Sequence, residues 1–165
     1  MAAGPSGADR PTGTEPPGTG FPGAVLFCCD HNSVRSPMAE GMMKKMYGTR
    51  AYVQSAGVKG DREVDGFAVA VCAEIGVELN AHRARSFDQM EDWGDDFGTF
   101  DLIVALSPAA QRKAQAMAES TAAEVEYWAI LDPTGFAESR EGQLASFRKT
   151  RDMIRARMLE RFGDG

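Results

Sequence analysis

Short, unbroken apolar runs alternate with longer segments of helical period from residue 24 to the end of the chain. Ala24-Val25-Leu26-Phe27-Cys28 has no polar interruption, the texture of a strand covered on both faces. After a polar stretch, Ser36-Pro37 opens a helix in which Met38, Met42 and Met46 recur at helical spacing. Proline is favoured at the first helical position and serine just before it, and Gly48 ends the segment. The same punctuation predicts a strand over 52–56, a helix over about 65–75 stopped by Gly76, and a strand over 101–105. A second pair, Ser107-Pro108, opens the next helix, a strand follows over 125–130, and a long final helix carries Leu144, Phe147, Ile154, Met158 and Phe162 on roughly one face. Strands that alternate with helices pair in parallel, with helices on both faces, so the expected fold class is a three-layer α/β sandwich. No internal repeat is visible. In such sheets ligands sit beyond the carboxyl ends of the strands, which makes the loop after the first strand the first place to look for chemistry.

Residues 1–23 change that picture only at the margin. They are dominated by Gly, Pro, Thr and Ser, too poor in large apolar groups to offset the entropy of ordering, and are expected to be a disordered tail ahead of one domain over 24–163. A chain of 165 residues that is 43% hydrophobic can bury one core. A formal net charge of -6, with no long run of Lys or Arg, argues against nucleic acid or an anionic membrane surface as partner, so an anionic ligand has to be held by a local site. The three cysteines are an odd count, with Cys28 and Cys29 adjacent, and match neither a disulfide framework nor a metal-binding spacing. A reducing, cytoplasmic setting is the expectation, and no apolar run has the length of a signal peptide or a bilayer span.

The segment Cys29-Asp30-His31-Asn32-Ser33-Val34-Arg35-Ser36 joins the first strand to a helix start, with a cysteine and an arginine at its ends. A loop curled at a helix N-terminus turns backbone N–H groups inward and, with the helix dipole, binds a dianionic oxyanion such as phosphate. Arg35 adds a planar fork for two phosphate oxygens, and the same positive field favours the thiolate form of a nucleophilic Cys29. The Ser36 hydroxyl stands where it can donate to that thiolate and help it leave. A thiolate that attacks phosphorus expels a poor leaving group, so a proton donor is needed opposite. Asp132 is the candidate: it lies in Leu131-Asp132-Pro133-Thr134-Gly135, directly after the last strand, and Pro133 stiffens that loop. Taken alone, an Asp-Pro-x-Gly stretch is an ordinary turn and a cysteine at a strand end is an ordinary buried group. Cys28 is read as pointing away from Cys29, and Cys72 as core packing within a helix.

Read together, these residues resemble the low-molecular-weight protein tyrosine phosphatases. The likeness spans 24–162 and rests on CDHNSVRSPMAE over 29–40, SAG over 55–57, HRAR over 82–85, DLIVAL over 101–106 and the pair Asp132-Pro133. The resemblance implies a four-stranded parallel sheet in order 2-1-3-4, with Cys29 as nucleophile, Arg35 as phosphate ligand and Asp132 as general acid. It also implies that residues Asp30 to Ser36 form the phosphate-binding loop, that Ser36 stabilises the thiolate, and that Asn32, Ser55 and His82 form a hydrogen-bonded support behind it. No metal or organic cofactor is implied, and the partner would be a phosphorylated protein or a small phosphomonoester.

Several departures from that pattern bear on activity. Asp30-His31 stands where family members commonly have an apolar residue and Gly; His reaches the backbone angles of Gly less readily, and Asp30 opposes a neighbouring thiolate unless His31 or another cation compensates it. Val34 replaces a second loop cysteine, and the stretch Val58-Lys59-Gly60-Asp61, like Thr134-Gly135, lacks the aromatic residues that flank a phosphotyrosine ring. Ser33 stands where phosphoarginine-directed relatives carry Thr. Phosphotyrosine hydrolysis leads, and three other readings stay open: a protein-arginine phosphatase, an arsenate reductase on the same scaffold, and a weakened phosphoprotein-binding module. Thioredoxin-coupled arsenate reduction uses two further cysteines after the loop, where this chain has only Cys72.

Overall fold

The computed structural model describes residues 21–164. Four parallel strands, β1 (Ala24–Cys29), β2 (Tyr52–Gly57), β3 (Leu102–Ala105) and β4 (Glu124–Tyr127), form one sheet in the order β2-β1-β3-β4. Helices α1 (Arg35–Tyr47), α2 (Gly66–Ala73), α3 (Phe87–Asp92), α4 (Pro108–Ala118) and α5 (Arg140–Phe162) cover it on both sides. This is the expected α/β sandwich, with the strand order that the resemblance implied.

β1 explains the layering. All six of its residues are buried, and because side chains alternate across a strand, Val25, Phe27 and Cys29 face one helical layer while Ala24, Leu26 and Cys28 face the other. The first face packs on α1, α2 and α5 through Met38, Met42, Val71, Phe147, Ile154 and Met158. The second packs on α3 and α4 through Phe87, Met90, Ala110 and Ala114. Burying a side chain of Phe or Met size stabilises the fold by about 1.5–3 kcal/mol, so the two clusters hold the sheet from both sides.

Four details differ from the sequence reading. The last strand was expected over 125–130 but ends at Tyr127; Trp128 and Ile130 are buried in extended chain beyond it, with Trp128 N–H still bonded to the Ala105 carbonyl. α3 was not anticipated, since six residues are too few to display a helical period; it is fixed instead by a reciprocal capping box between Ser86 and Gln89. Ser36 is not the cap of α1: the helix begins at Arg35, no side chain caps it, and the Ser36 hydroxyl is turned toward Cys29. Of the tail expected over 1–23, residues 1–20 lie outside the described residues. Phe21 packs its ring 5.4 Å from Tyr47 and 5.7 Å from Phe162, under the Arg50 guanidinium, so apolar packing reaches back to that residue.

Candidate active site

The segment between β1 and α1 is clamped at backbone level. Val58 N–H bonds to the Cys29 carbonyl at 3.0 Å, Lys59 N–H to the Asp30 carbonyl at 2.8 Å, and Asp65 N–H to the Ser33 carbonyl at 2.8 Å. The chain after β2 thus runs along the loop as a continuation of the β1–β2 ladder. Gly57 allows that approach, since a Cβ there would lie 2.7 Å from the Asn32 nitrogen and 2.8 Å from the His31 carbonyl carbon. His31 is not called on to adopt a positive φ; the left-handed position of the loop is Asn32, at φ 56°, and asparagine tolerates that region better than most side chains.

Cys29 is 2% exposed, and its Sγ lies 3.0 Å from Ser36 Oγ and 3.4 Å from the Ser36 N–H. Behind Ser36 the contacts converge on Asn32. Its Oδ1 accepts from Arg85 N–H at 2.9 Å and meets His82 Nε2 at 3.2 Å, which leaves Nδ2 to donate to Ser36 Oγ at 2.8 Å and Ser55 Oγ at 2.9 Å. The Ser55 hydroxyl passes its own hydrogen to Glu40 Oε1 at 2.5 Å, and the Ser36 hydroxyl faces Cys29 Sγ, to which it donates when the cysteine is a thiolate. Glu40 is held in turn by Lys44 at 2.5 Å. Burial pulls the His82 imidazole below its ordinary range, with Glu40 at 3.8 Å opposing.

Arg35 is 6% exposed and anchored from the sheet side: Nη1 donates to the carbonyls of Leu106 at 3.1 Å and Ile130 at 2.9 Å. Those carbonyls follow β3 and β4, so the guanidinium ties three strand ends together and presents Nη2 to the mouth of the loop. There it meets Asp30 Oδ2 at 3.4 Å and Asp132 Oδ2 at 3.8 Å. Asp132 is held by the Thr134 N–H at 3.0 Å and the Thr134 hydroxyl, between buried Pro133 and an Ile130 carbonyl fixed on Arg35. The cation beside Asp30 is therefore Arg35. His31 is engaged elsewhere, with Nδ1 2.8 Å from Asp61, whose carboxyl is held below the usual range by that contact.

The structure brings together Cys29, Asp30, Arg35, Ser36 and Asp132 at the mouth, with Asn32, Ser55 and His82 directly behind. Glu40 and Arg85 complete the support and were not singled out by the sequence reading, although Glu40 lies in the quoted motif and Arg85 in the HRAR stretch. Leu131 and Phe136, 64% and 61% exposed, flank Asp132 on its own loop and were likewise missed as apolar surface. Cys28 is buried on the opposite face, its thiol pushed up by burial and by Cys29; Cys72 is buried beside α5, its thiol pushed up to about 12 by burial. Among the described residues no three His, Cys, Asp or Glu side chains cluster as metal ligands, and no helix is long and apolar enough to cross a membrane.

A cysteine and an arginine on one loop, at the carboxyl edge of a parallel sheet, define a class of oxyanion-handling proteins with a thiol nucleophile. The family model for low molecular weight phosphotyrosine protein phosphatase matches residues 24–162, and the chain belongs to that family. An arsenate reductase of Halalkalibacterium halodurans is 32% identical over 134 residues, 81% of this chain and 91% of its own length. Another, from Bacillus subtilis, is 29% identical over 136 residues, 82% of this chain and 92% of its own. Among solved structures, a low molecular weight protein tyrosine phosphatase from T. tengcongensis superposes with a TM-score of 0.61 at 25% identity, over 84% of this chain and 99% of that one.

Proposed function

We propose that this protein hydrolyses phosphoryl groups through a phosphocysteine intermediate, with an aryl phosphomonoester such as protein phosphotyrosine as its reference substrate. The observation that carries the reading is the Cys29 Sγ at 3.0 Å from Ser36 Oγ, on a loop whose arginine faces a carboxylate across the same mouth. In the first step the Cys29 thiolate attacks phosphorus, the bond to the leaving oxygen breaks, and Asp132 delivers a proton to that oxygen. In the second, water attacks the phosphocysteine, Asp132 takes its proton, and phosphate departs as the S–P bond breaks and the thiolate re-forms. The Ser36 hydroxyl and N–H are on hand to hold the leaving sulfur. Arg35 stays charged throughout and stabilises the equatorial oxygens. Leu131 and Phe136 supply apolar surface on the loop that carries Asp132.

The test compares hydrolysis of 4-nitrophenyl phosphate by wild type, Cys29→Ser and Asp132→Asn. Cys29→Ser should lose turnover and the trapped phosphoenzyme, and Asp132→Asn should be slower by roughly 10²–10⁴. Wild-type rates retained in Cys29→Ser would sink the mechanism.

A second reading, arsenate reduction, is favoured by the 32% identity to an arsenate reductase. The thiols needed to carry the electrons weigh against it. Cys28 lies across the sheet, and Cys72 is buried with its thiol pushed up to about 12, so neither is poised to attack an adduct at Cys29. Arsenite release driven by an added thiol, without phosphatase turnover, would favour this second reading.

A further inference from the structure

We propose that Thr134 is a positioning residue for the proton transfers: its hydroxyl and N–H together hold one oxygen of Asp132, so that the other, Oδ2, gives and takes the proton at the mouth of the loop. This rests on the phosphocysteine reading above and deepens it by assigning the atom of the acid that reacts.

Packing does little to aim Asp132, since 46% of its side chain is exposed and the terminal torsion of an aspartate is broad. Hydrogen bonds aim it instead. The Thr134 N–H, at 3.0 Å, and the Thr134 hydroxyl both donate to Oδ1. A carboxyl oxygen has two lone pairs in its plane, so an Oδ1 that accepts two hydrogen bonds has no place for a proton, and a protonated Asp132 carries its hydrogen on Oδ2. The N–H contact belongs to any turn of this kind and alone would leave Oδ1 a lone pair for the proton; the hydroxyl is what this side chain adds. Oδ2 lies 3.8 Å from Nη2 of Arg35. Because Nη1 is committed to the Leu106 and Ile130 carbonyls, Nη2 is the end of the guanidinium that turns to a phosphate oxygen, and Oδ2 stands beside the phosphoryl group held there.

Both steps then use one oxygen. In the first, Cys29 Sγ bonds to phosphorus, the P–O bond breaks with its electron pair on the leaving oxygen, and that oxygen takes the hydrogen from Oδ2. In the second, a water oxygen bonds to phosphorus, the S–P bond breaks with its pair on sulfur, and the proton of the water goes to Oδ2. Oδ1 stays on Thr134 throughout. Without the hydroxyl the proton is divided between two oxygens and the carboxyl turns more freely, so the leaving group meets the hydrogen less often, and the loss grows with the protonation that the leaving group needs.

The experiment measures kcat/KM, which reads formation of the phosphoenzyme, for phenyl phosphate and 4-nitrophenyl phosphate in wild type, Thr134→Val, Thr134→Ser, Asp132→Asn and the double variant Asp132→Asn/Thr134→Val. Phenolate is the poorer leaving group of the two and depends more on the acid. Thr134→Val should fall about tenfold on phenyl phosphate and less than about threefold on the 4-nitrophenyl ester. Thr134→Ser, which keeps the hydroxyl, should recover most of the phenyl phosphate rate, and the double variant should be no slower than Asp132→Asn, because Thr134 acts through that carboxyl. Equal losses on both esters in Thr134→Val, or a further loss in the double variant, would mean that the hydroxyl only shapes the loop and would overturn the positioning role; unchanged rates in Thr134→Val would overturn it too. Turnover that persists in Cys29→Ser overturns the phosphocysteine reading, and this role with it.

Discussion

Asn32 holds the site together at the scale of single residues. Its amide spends both donors on Ser36 and Ser55 and its oxygen on Arg85 and His82, while its backbone sits at φ 56°. Two costs can therefore be separated by mutation. Asn32→Gly removes the amide but welcomes the left-handed backbone, whereas Asn32→Ala removes the amide and also strains the turn by roughly 1–2 kcal/mol. Both variants should lose at least about tenfold in kcat on 4-nitrophenyl phosphate, since the Ser36 hydroxyl is no longer aimed at Cys29. Only Asn32→Ala should show the further drop in stability in urea unfolding. Wild-type kcat in Asn32→Gly would mean that the amide only shapes the turn. Ser36→Ala probes the next contact: it should slow the release of sulfur more than its formation of the phosphoenzyme, and a rapid-quench burst larger than the wild-type burst would register that.

Among the elements, the end of β2 matters to the site as much as α1 does. Gly57 pairs with Cys29 in register and lies so close to the loop that an added Cβ would approach the Lys59 carbonyl oxygen at 2.6 Å and the Asn32 nitrogen at 2.7 Å. All of these are backbone atoms, which cannot step aside as a side chain can. Gly57→Ala should therefore cost about 1–3 kcal/mol in stability and shift the loop enough to depress kcat. Unchanged Tm and kcat together would show that the loop yields more easily than its hydrogen bonds suggest. What was legible in the sequence also divides along element lines. β1 and α5 announce themselves because unbroken apolar runs and long helical periods are local signals. The true end of β4 was hidden, since Trp128 and Ile130 are as apolar as strand residues yet lie past the ladder. α3 was hidden because six residues carry no readable period.

At the level of the whole molecule, the loop signature from Cys29 to Ser36 was readable because its chemistry is contiguous, while Glu40 and Arg85 act through partners 15 and 53 residues away that no local pattern encodes. The same holds for what locks the helical layer behind the loop. Glu74, just past α2, receives Arg148 at 2.8 Å and Arg151 at 2.7 Å from α5, and Arg151 also donates to the Val71 carbonyl at 2.8 Å. Arg148 first and Arg151 second hold the Glu74 carboxyl down to about 2, against about 4.5 for a free one. A carboxyl whose folded pKa is depressed stabilises the fold fully above its unfolded value and loses that contribution as pH falls through the folded one. This clamp should thus be complete at neutral pH and fade between about 4.5 and 2. Because Glu74 and Arg148 are both exposed, the contribution of that contact should also shrink in salt. Calorimetric Tm measured down that pH window should fall more steeply for wild type than for Glu74→Gln, with the two curves converging near the acid end. Parallel curves would mean that the contact orders side chains without joining α2 to α5.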